Sequence, residues 1–239
     1  MRAVILAGGR GACLAPYTTV IPKPLLPVGD KPILEIICRQ LAAAGFTHLT
    51  LSLGYMSVYF RTFLAQHRSL QALMKIDFIE EEEPTGTAGS LAMVPGLKGT
   101  FLVMNGDILT DLDYAALVQS HKDSGAVLTI AAHQKKVKID LGILEVQDGR
   151  VTGYIEKPTL HYPVSMGIYV YDASVLDHIE AGVYLDFPTL VLKLIAAGRT
   201  VNAWGNDATW LDLGRHEDLL EATQLFGTGR YDFLPRGAA

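Results

Sequence analysis

Leu6-Ala7-Gly8-Gly9-Arg10-Gly11-Ala12-Cys13-Leu14, followed by Ile21-Pro22-Lys23-Pro24-Leu25, decides how the chain is read. The apolar run Ala3-Val4-Ile5-Leu6 predicts a β-strand that stops abruptly at three glycines, and a lysine held between two prolines comes next. Glycines after a strand let the backbone approach a ligand closely, and their N–H groups can converge on anionic oxygen. A nucleoside triphosphate offers that kind of charge. A P-loop would need a closing Gly-Lys-Ser/Thr, which is absent, and a dinucleotide fingerprint would need a third glycine where Leu14 stands. An ordinary strand-to-helix turn would leave Lys23 without a purpose.

Outward from this loop, strand and helix patterns alternate. Strands are expected at 3–6, 48–53, 75–79 and 101–104. Helices are expected at 32–44, 57–67 and 87–94, the first carrying Ile33, Ile36, Ile37, Leu41 and Ala44 as one apolar stripe. Such β-α repetition predicts an α/β fold, a Rossmann-like, mixed but mainly parallel sheet with helices on both faces. Ligands bind beyond the carboxyl ends of the strands in sheets of this kind, where the glycine loop and Asn105-Gly106-Asp107 both fall. The second half is richer in strands, expected at 127–132, 142–146, 151–156, 164–171, 201–204 and 209–211, with helices at 187–197 and 216–226. Asp148-Gly149-Arg150 reads as a hairpin turn. The chain reads as one domain over 1–226 with a loosely held tail over 227–239.

Apolar residues make up 49% and charged residues 19% of the 239, enough for a large core and too apolar for a disordered chain. A net charge of −5 argues against nucleic-acid binding through a basic face. No apolar run reaches the roughly 18–20 residues of a membrane span, and Gly8-Gly9-Arg10 cuts short the one segment that begins like a signal peptide. Two cysteines cannot form a disulfide framework, which fits a reducing cytoplasm, and the histidines lack metal-ligand spacing.

The glycine loop and its Pro-Lys-Pro resemble the opening of the sugar-1-phosphate nucleotidylyltransferases, Leu-Ala-Gly-Gly-x-Gly-Thr-Arg-Leu, a spacer, then Pro-Lys-Pro-Leu. Later motifs follow in family order over nearly the whole chain. Glu82-Glu83-Pro84-Thr85-Gly86-Thr87-Ala88-Gly89-Ser90-Leu91 is similar to the base- and ribose-contacting turn, most of all in the Pro-Leu-Gly-Thr-Ala-Gly form of mannose-1-phosphate guanylyltransferases. Small residues there open room for a purine, and the helix start is expected to offer free N–H donors. Within the acidic run, Glu80 and Glu81 read as a solvated edge, and Glu82 and Glu83 as closer to the site.

The resemblance implies a set of roles. Leu6, Ala7, Gly8, Gly9, Arg10, Gly11, Cys13 and Lys23, with Glu82, Pro84, Gly86, Thr87, Ala88, Asn105 and Gly106, would seat the nucleotide. Asp107, from Asn-Gly-Asp, and Asp212, from Trp210-Leu211-Asp212-Leu213-Gly214, would hold Mg²⁺. Glu156 and Lys157, from Tyr154-Ile155-Glu156-Lys157-Pro158, with Gly142 and Gly167, would take the sugar phosphate. Lys23, Asp107, Lys157 and Asp212 would carry catalysis. Ser165 and Met166 stand where the family has Asn-Ala. Cys13 stands where it has a triphosphate-binding arginine, and Ala12 where it has threonine.

The implied reaction joins an NTP and a sugar 1-phosphate into an NDP-sugar and pyrophosphate, with GTP and a mannose- or heptose-type sugar favoured. Thymidylyl or uridylyl transfer to glucose 1-phosphate is the alternative. Cys13 also raises a low-activity or non-catalytic nucleotide-sugar binding subunit, and the Gly9-x-Gly11 pair a dinucleotide-dependent oxidoreductase. Many guanylyltransferases of this type add a left-handed β-helix domain, for which these 239 residues leave no room, so a homo-oligomer would use the catalytic domain.

Overall fold

A computed structural model describes residues 1–227, 233 and 234. The elements are β1 (Arg2–Leu6), β2 (Pro27–Val28), β3 (Lys31–Pro32), α1 (Ile33–Ala43), β4 (His48–Leu53), α2 (Ser57–Gln66), α3 (Arg68–Leu73), β5 (Lys75–Glu80), α4 (Gly86–Gly89), β6 (Thr100–Asn105) and β7 (Ile108–Thr110). They continue with α5 (Tyr114–Ser124), β8 (Leu128–Lys138), β9 (Ile143–Gln147), β10 (Arg150–Ile155), β11 (Thr159–Asp172), α6 (Phe187–Ala196), β12 (Val201–Asn206), β13 (Trp210–Asp212) and α7 (His216–Gly227).

Seven strands form the central sheet in the order β12-β8-β11-β6-β1-β4-β5. Only β11 opposes its neighbours, pairing antiparallel with both β6 and β8. The expected mixed, mainly parallel sheet is therefore present. The central strands β1 and β6 read as nearly continuous apolar runs because both faces are covered. In β1, Ala3 and Ile5 enter one core cluster and Val4 the other; in β6, Leu102 and Met104 enter the first, Phe101 and Val103 the second. The first cluster takes its helical cover from α1, α2, α3, α5 and α7, the second from α4, α6 and the turn after α4.

The predicted stripe of α1 holds, with Ile33, Ile36, Ile37 and Leu41 fully buried. The expected hairpin joins β9 and β10 through Asp148 and Gly149, both at positive φ, as a tight two-residue turn requires. Of the 227–239 tail, 228–232 and 235–239 lie outside the described residues. Phe233 is buried in the core, and its carbonyl accepts from Gln40 Nε2 at 2.7 Å.

Several elements depart from the sequence reading. The short strands β2, β3 and β7 and helices α3 and α5 were not anticipated, and β8 and β11 run on past the sheet to pair through Lys138 and Thr159. Inside β11 the register slips between Ser165 and Tyr169, where four steps of β11 face two of β8. This bulge puts Gly167 at φ +74°, a conformation that favours glycine, and a Cβ there would meet Asn105 Nδ2 at 2.8 Å.

Candidate active site

The parallel strands deliver their carboxyl ends to one edge of the sheet, and two clefts open there. One, of about 780 Å³, lies between the glycine loop after β1, the loop after β4 and the acidic segment after β5. Of the residues assigned to the nucleotide, Leu6, Gly8, Gly9, Arg10, Glu82, Pro84, Gly86, Thr87 and Asn105 line it. The other, of about 620 Å³, lies between the β11 bulge, α6 and β13, and is lined by Gly167 and Asp212. Asn105 and Thr87 line both clefts, so the two spaces meet at the end of β6.

Lys23 arrives here by a short-range device. Pro22 and Pro24 hold a 3₁₀ turn over Lys23–Leu25, and Pro24 packs against Gly106, where a Cβ would come within 3.0 Å of Pro24 Cγ. The lysine Nζ thereby donates to Asp107 Oδ2 at 2.5 Å, with both side chains largely sheltered. Asp212 is brought alongside by β13, which pairs with β7 in the register Asp212 to Ile108, and Leu213 N donates to the Asp107 carbonyl at 3.2 Å.

Although the Asp212 side chain reaches solvent, surrounding protein strips part of its hydration. With the Asp107 charge nearby, this holds the Asp212 carboxyl above its usual range, while Lys23 opposes the shift. Two carboxylates that burden one another in this way fit a divalent cation. No cluster of three or more metal-ligating side chains occurs among the described residues, so such a cation would complete its shell with phosphate oxygens and water, as Mg²⁺ commonly does.

Other assigned residues sit elsewhere. Ala7, Gly11, Lys23, Gly106 and the exposed Cys13 do not line the nucleotide cleft. Arg10 lines it, with its guanidinium 5.9 Å from the Tyr55 ring centroid. Ala88 is fully buried. Gly142 lies under Tyr154, whose hydroxyl donates to Glu156 Oε2 at 3.0 Å. Glu156 and Lys157 are exposed just past β10, outside both clefts.

Two expectations need correction. The N–H groups of Ala88 and Gly89 are not free, because both donate to the Leu185 carbonyl, at 3.0 and 2.9 Å. The 183–187 segment straps onto α4 so closely that a Cβ at Gly86 would meet Leu185 O at 2.5 Å, and Phe187 N donates to Thr87 Oγ1. Glu81 is not a solvated edge. It accepts from Ser52 Oγ at 2.8 Å and from both the N–H and hydroxyl of Thr85, and it lines the nucleotide cleft. Its partners come from β4 and from four residues downstream, a pairing no local pattern announces. Ser90, read only as part of the turn and given no role of its own, lines the same cleft, is 1% exposed, and its hydroxyl has no partner among the described residues.

The nucleotidyl transferase family model matches residues 2–228. The chain belongs to the nucleotidyl transferase family. A relative described as probable mannose-1-phosphate guanylyltransferase 1, from Oryza sativa subsp. japonica, is 32% identical over 239 residues, which cover 95% of this chain and 64% of the relative. The UTP–glucose-1-phosphate uridylyltransferase of Synechocystis sp. is 28% identical, covering 93% of this chain and 62% of the relative. The chain thus spans less than two thirds of the length of these nucleotidyl transferases. Among solved structures, HddC from Yersinia pseudotuberculosis superposes with a TM-score of 0.72 at 27% identity, covering 94% of this chain and 99% of that one. The same protein complexed with GMP-PN gives 0.70 at 25% identity over the same shares. The Rossmann-like, mixed but mainly parallel α/β fold expected from the sequence is the fold of this chain, and it is that of the nucleotide-diphospho-sugar transferases.

Proposed function

We propose that the chain transfers a nucleotidyl group from an NTP to a sugar 1-phosphate, releasing pyrophosphate, with GTP and a mannose- or heptose-type sugar as the favoured pair. The observation that carries this reading is the meeting of two clefts at Asn105 and Thr87, with the Lys23–Asp107 pair and Asp212 beside the junction. Two anionic substrates held face to face need positioning and charge neutralisation more than covalent chemistry. The sugar phosphate oxygen attacks the α-phosphorus in line, the new O–P bond forms, and the bond to the pyrophosphate oxygen breaks. Lys23 neutralises charge at the α-phosphate, and Arg10 presents the cation of the glycine loop to the same cleft. Lys157 is assigned to the sugar phosphate. Mg²⁺ held by Asp107 and Asp212 would supply charge neutralisation at the phosphate oxygens. The base preference is supported by the guanylyltransferase relative and by the GMP-PN complex of the structural neighbour. A cytoplasmic setting fits the two free cysteines.

The test is a matrix of NTPs against sugar 1-phosphates with pyrophosphate release as readout, run on this chain and on Cys13→Arg. A fixed cation aimed at transferring phosphoryl groups contributes roughly 10³–10⁵ in rate, so Cys13→Arg is expected to raise turnover at least tenfold. An unchanged rate would mean that Arg10 already serves the triphosphate. A second reading, a nucleotide-sugar binding subunit without turnover, is favoured by the exposed Cys13, a residue with no guanidinium to offer a triphosphate. Calorimetric binding of GDP-mannose with no pyrophosphate release under excess Mg²⁺ would establish it over the first.

A further inference from the structure

The second cleft is short of hydrogen-bonding groups. Helix α6 contributes Phe187, Pro188, Val191 and Leu192 to its wall and no polar side chain. Phe187 stacks on Tyr169, with ring centroids 3.8 Å apart. Part of the hydrogen-bonding capacity of the lining is used within the protein, while the Tyr169 and Thr87 hydroxyls act there as acceptors and each keep an O–H. Ser165 Oγ donates to the Tyr169 hydroxyl and accepts from Gly167 N, each at 3.3 Å. Trp210 Nε1 donates to the Met166 carbonyl at 3.1 Å, and Thr87 Oγ1 accepts from Phe187 N at 2.9 Å. Among the described residues lining this cleft, only the Asn105 amide and the Asp212 carboxylate are polar side chains with no hydrogen bond to protein, and Asp212 is claimed by the phosphate chemistry.

A hexose whose exocyclic hydroxymethyl faces the α6 wall would set that hydroxyl against carbon, and a hydroxyl without a partner weakens binding. We infer that the acceptor is a deoxygenated sugar 1-phosphate, with a methyl group in place of the exocyclic hydroxymethyl packed on the Val191–Leu192 wall. This rests on the reading of the cleft as the sugar-phosphate site, and it narrows the acceptor named above to a 6-deoxyhexose, against a heptose with its longer hydroxylated chain.

Calorimetry on the whole chain with two matched pairs of probes tests this. The pairs are 6-deoxymannose 1-phosphate against mannose 1-phosphate, and 6-deoxyglucose 1-phosphate against glucose 1-phosphate. Within at least one pair the deoxy sugar is expected to bind roughly ten- to a hundredfold more tightly, the range over which an apolar pocket discriminates. Leu192→Asn is expected to bring that ratio down toward one, and because Leu192 is 67% exposed the variant keeps its fold. Val191→Thr, which keeps the shape, should lower the ratio in the same direction. Equal binding within both pairs, tighter binding of the hydroxylated sugars, or no binding by any of the four overturns the inference. A deoxy preference without pyrophosphate release in the presence of GTP, UTP and dTTP would instead overturn nucleotidyl transfer and leave the sugar class standing.

Discussion

At the scale of single residues, the site turns on a cation placed by prolines. Lys23 was legible in the sequence because Pro22 and Pro24 leave its backbone little choice, and the structure delivers it to Asp107. Lys23→Met is expected to reduce turnover by roughly 10²–10³, the usual cost of removing one fixed group from a preorganised charge-stabilising site, with steady-state kinetics as the check. Residues braced from a distance were not legible: Glu81 depends on Ser52, 29 positions away, and Ser90 looks like any small residue in a turn. The unpaired, buried Ser90 hydroxyl lowers the stability of the protein in the absence of ligand. Ser90→Ala should therefore stabilise by about 1 kcal/mol, which scanning calorimetry would read as a rise in Tm of roughly 2–4 °C.

At the scale of elements, the decisive contact is the strap of 183–187 across α4. The Gly86-Thr87-Ala88-Gly89 turn was legible as a motif, but its glycines serve a packing need as well, since Leu185 approaches both. Gly86 sits at φ +82° with Leu185 O in the place of a Cβ, whereas Gly96 sits at φ +69° with open space around it. Gly96→Ala should cost only the left-handed strain, about 1 kcal/mol. Gly86→Ala should cost more, about 2–4 kcal/mol once the clash is added. Urea unfolding of the two variants separates strain from contact, and equal losses would mean that the strap yields freely. Helix α5 escaped the sequence reading because its stripe of Tyr114, Leu117 and Val118 ends in His121, a buried histidine bonded to Thr129 Oγ1 at 2.9 Å. Its end signals were present in Asp113, whose side chain accepts from Ala116 N, and in Gly125 at positive φ.

At the scale of the whole molecule, a sheet with apolar residues on both faces fixes where the ligand clefts can be, and this much followed from alternation of strand and helix patterns. The antiparallel β11 and its bulge did not follow, because pairing partners far apart in sequence leave no periodic trace. One polar cluster ties the parallel half together across three strands. Asp77 on β5 accepts from Thr50 Oγ1 on β4 and lies 2.7 Å from His48 Nε2, while Arg2 on β1 donates to Thr50. Burial alone would raise the Asp77 carboxyl, but Thr50, His48 and Arg2 outweigh it and hold it below its ordinary 3.8. A depressed folded value means stability that is present above the unfolded value and lost as pH falls through the folded one. Asp77→Asn should thus cost about 1 kcal/mol at neutral pH. The gap to the parent protein should close below pH 3.8, as acid protonates the native carboxyl. Denaturant melts at pH 7 and pH 3 provide the check.

Nucleotide-sugar formation in that substrate matrix with excess Mg²⁺ decides whether Asp107 and Asp212 serve the proposed nucleotidyl transfer between an NTP and a sugar 1-phosphate. The measurement compares the chain with Asp107→Asn. The expected result is formation of an NDP-sugar with at least one pair, falling at least a hundredfold in the variant while its melting temperature stays close to the parent's. Mg²⁺-dependent turnover that survives Asp107→Asn unchanged, or no NDP-sugar from any pair, would contradict it.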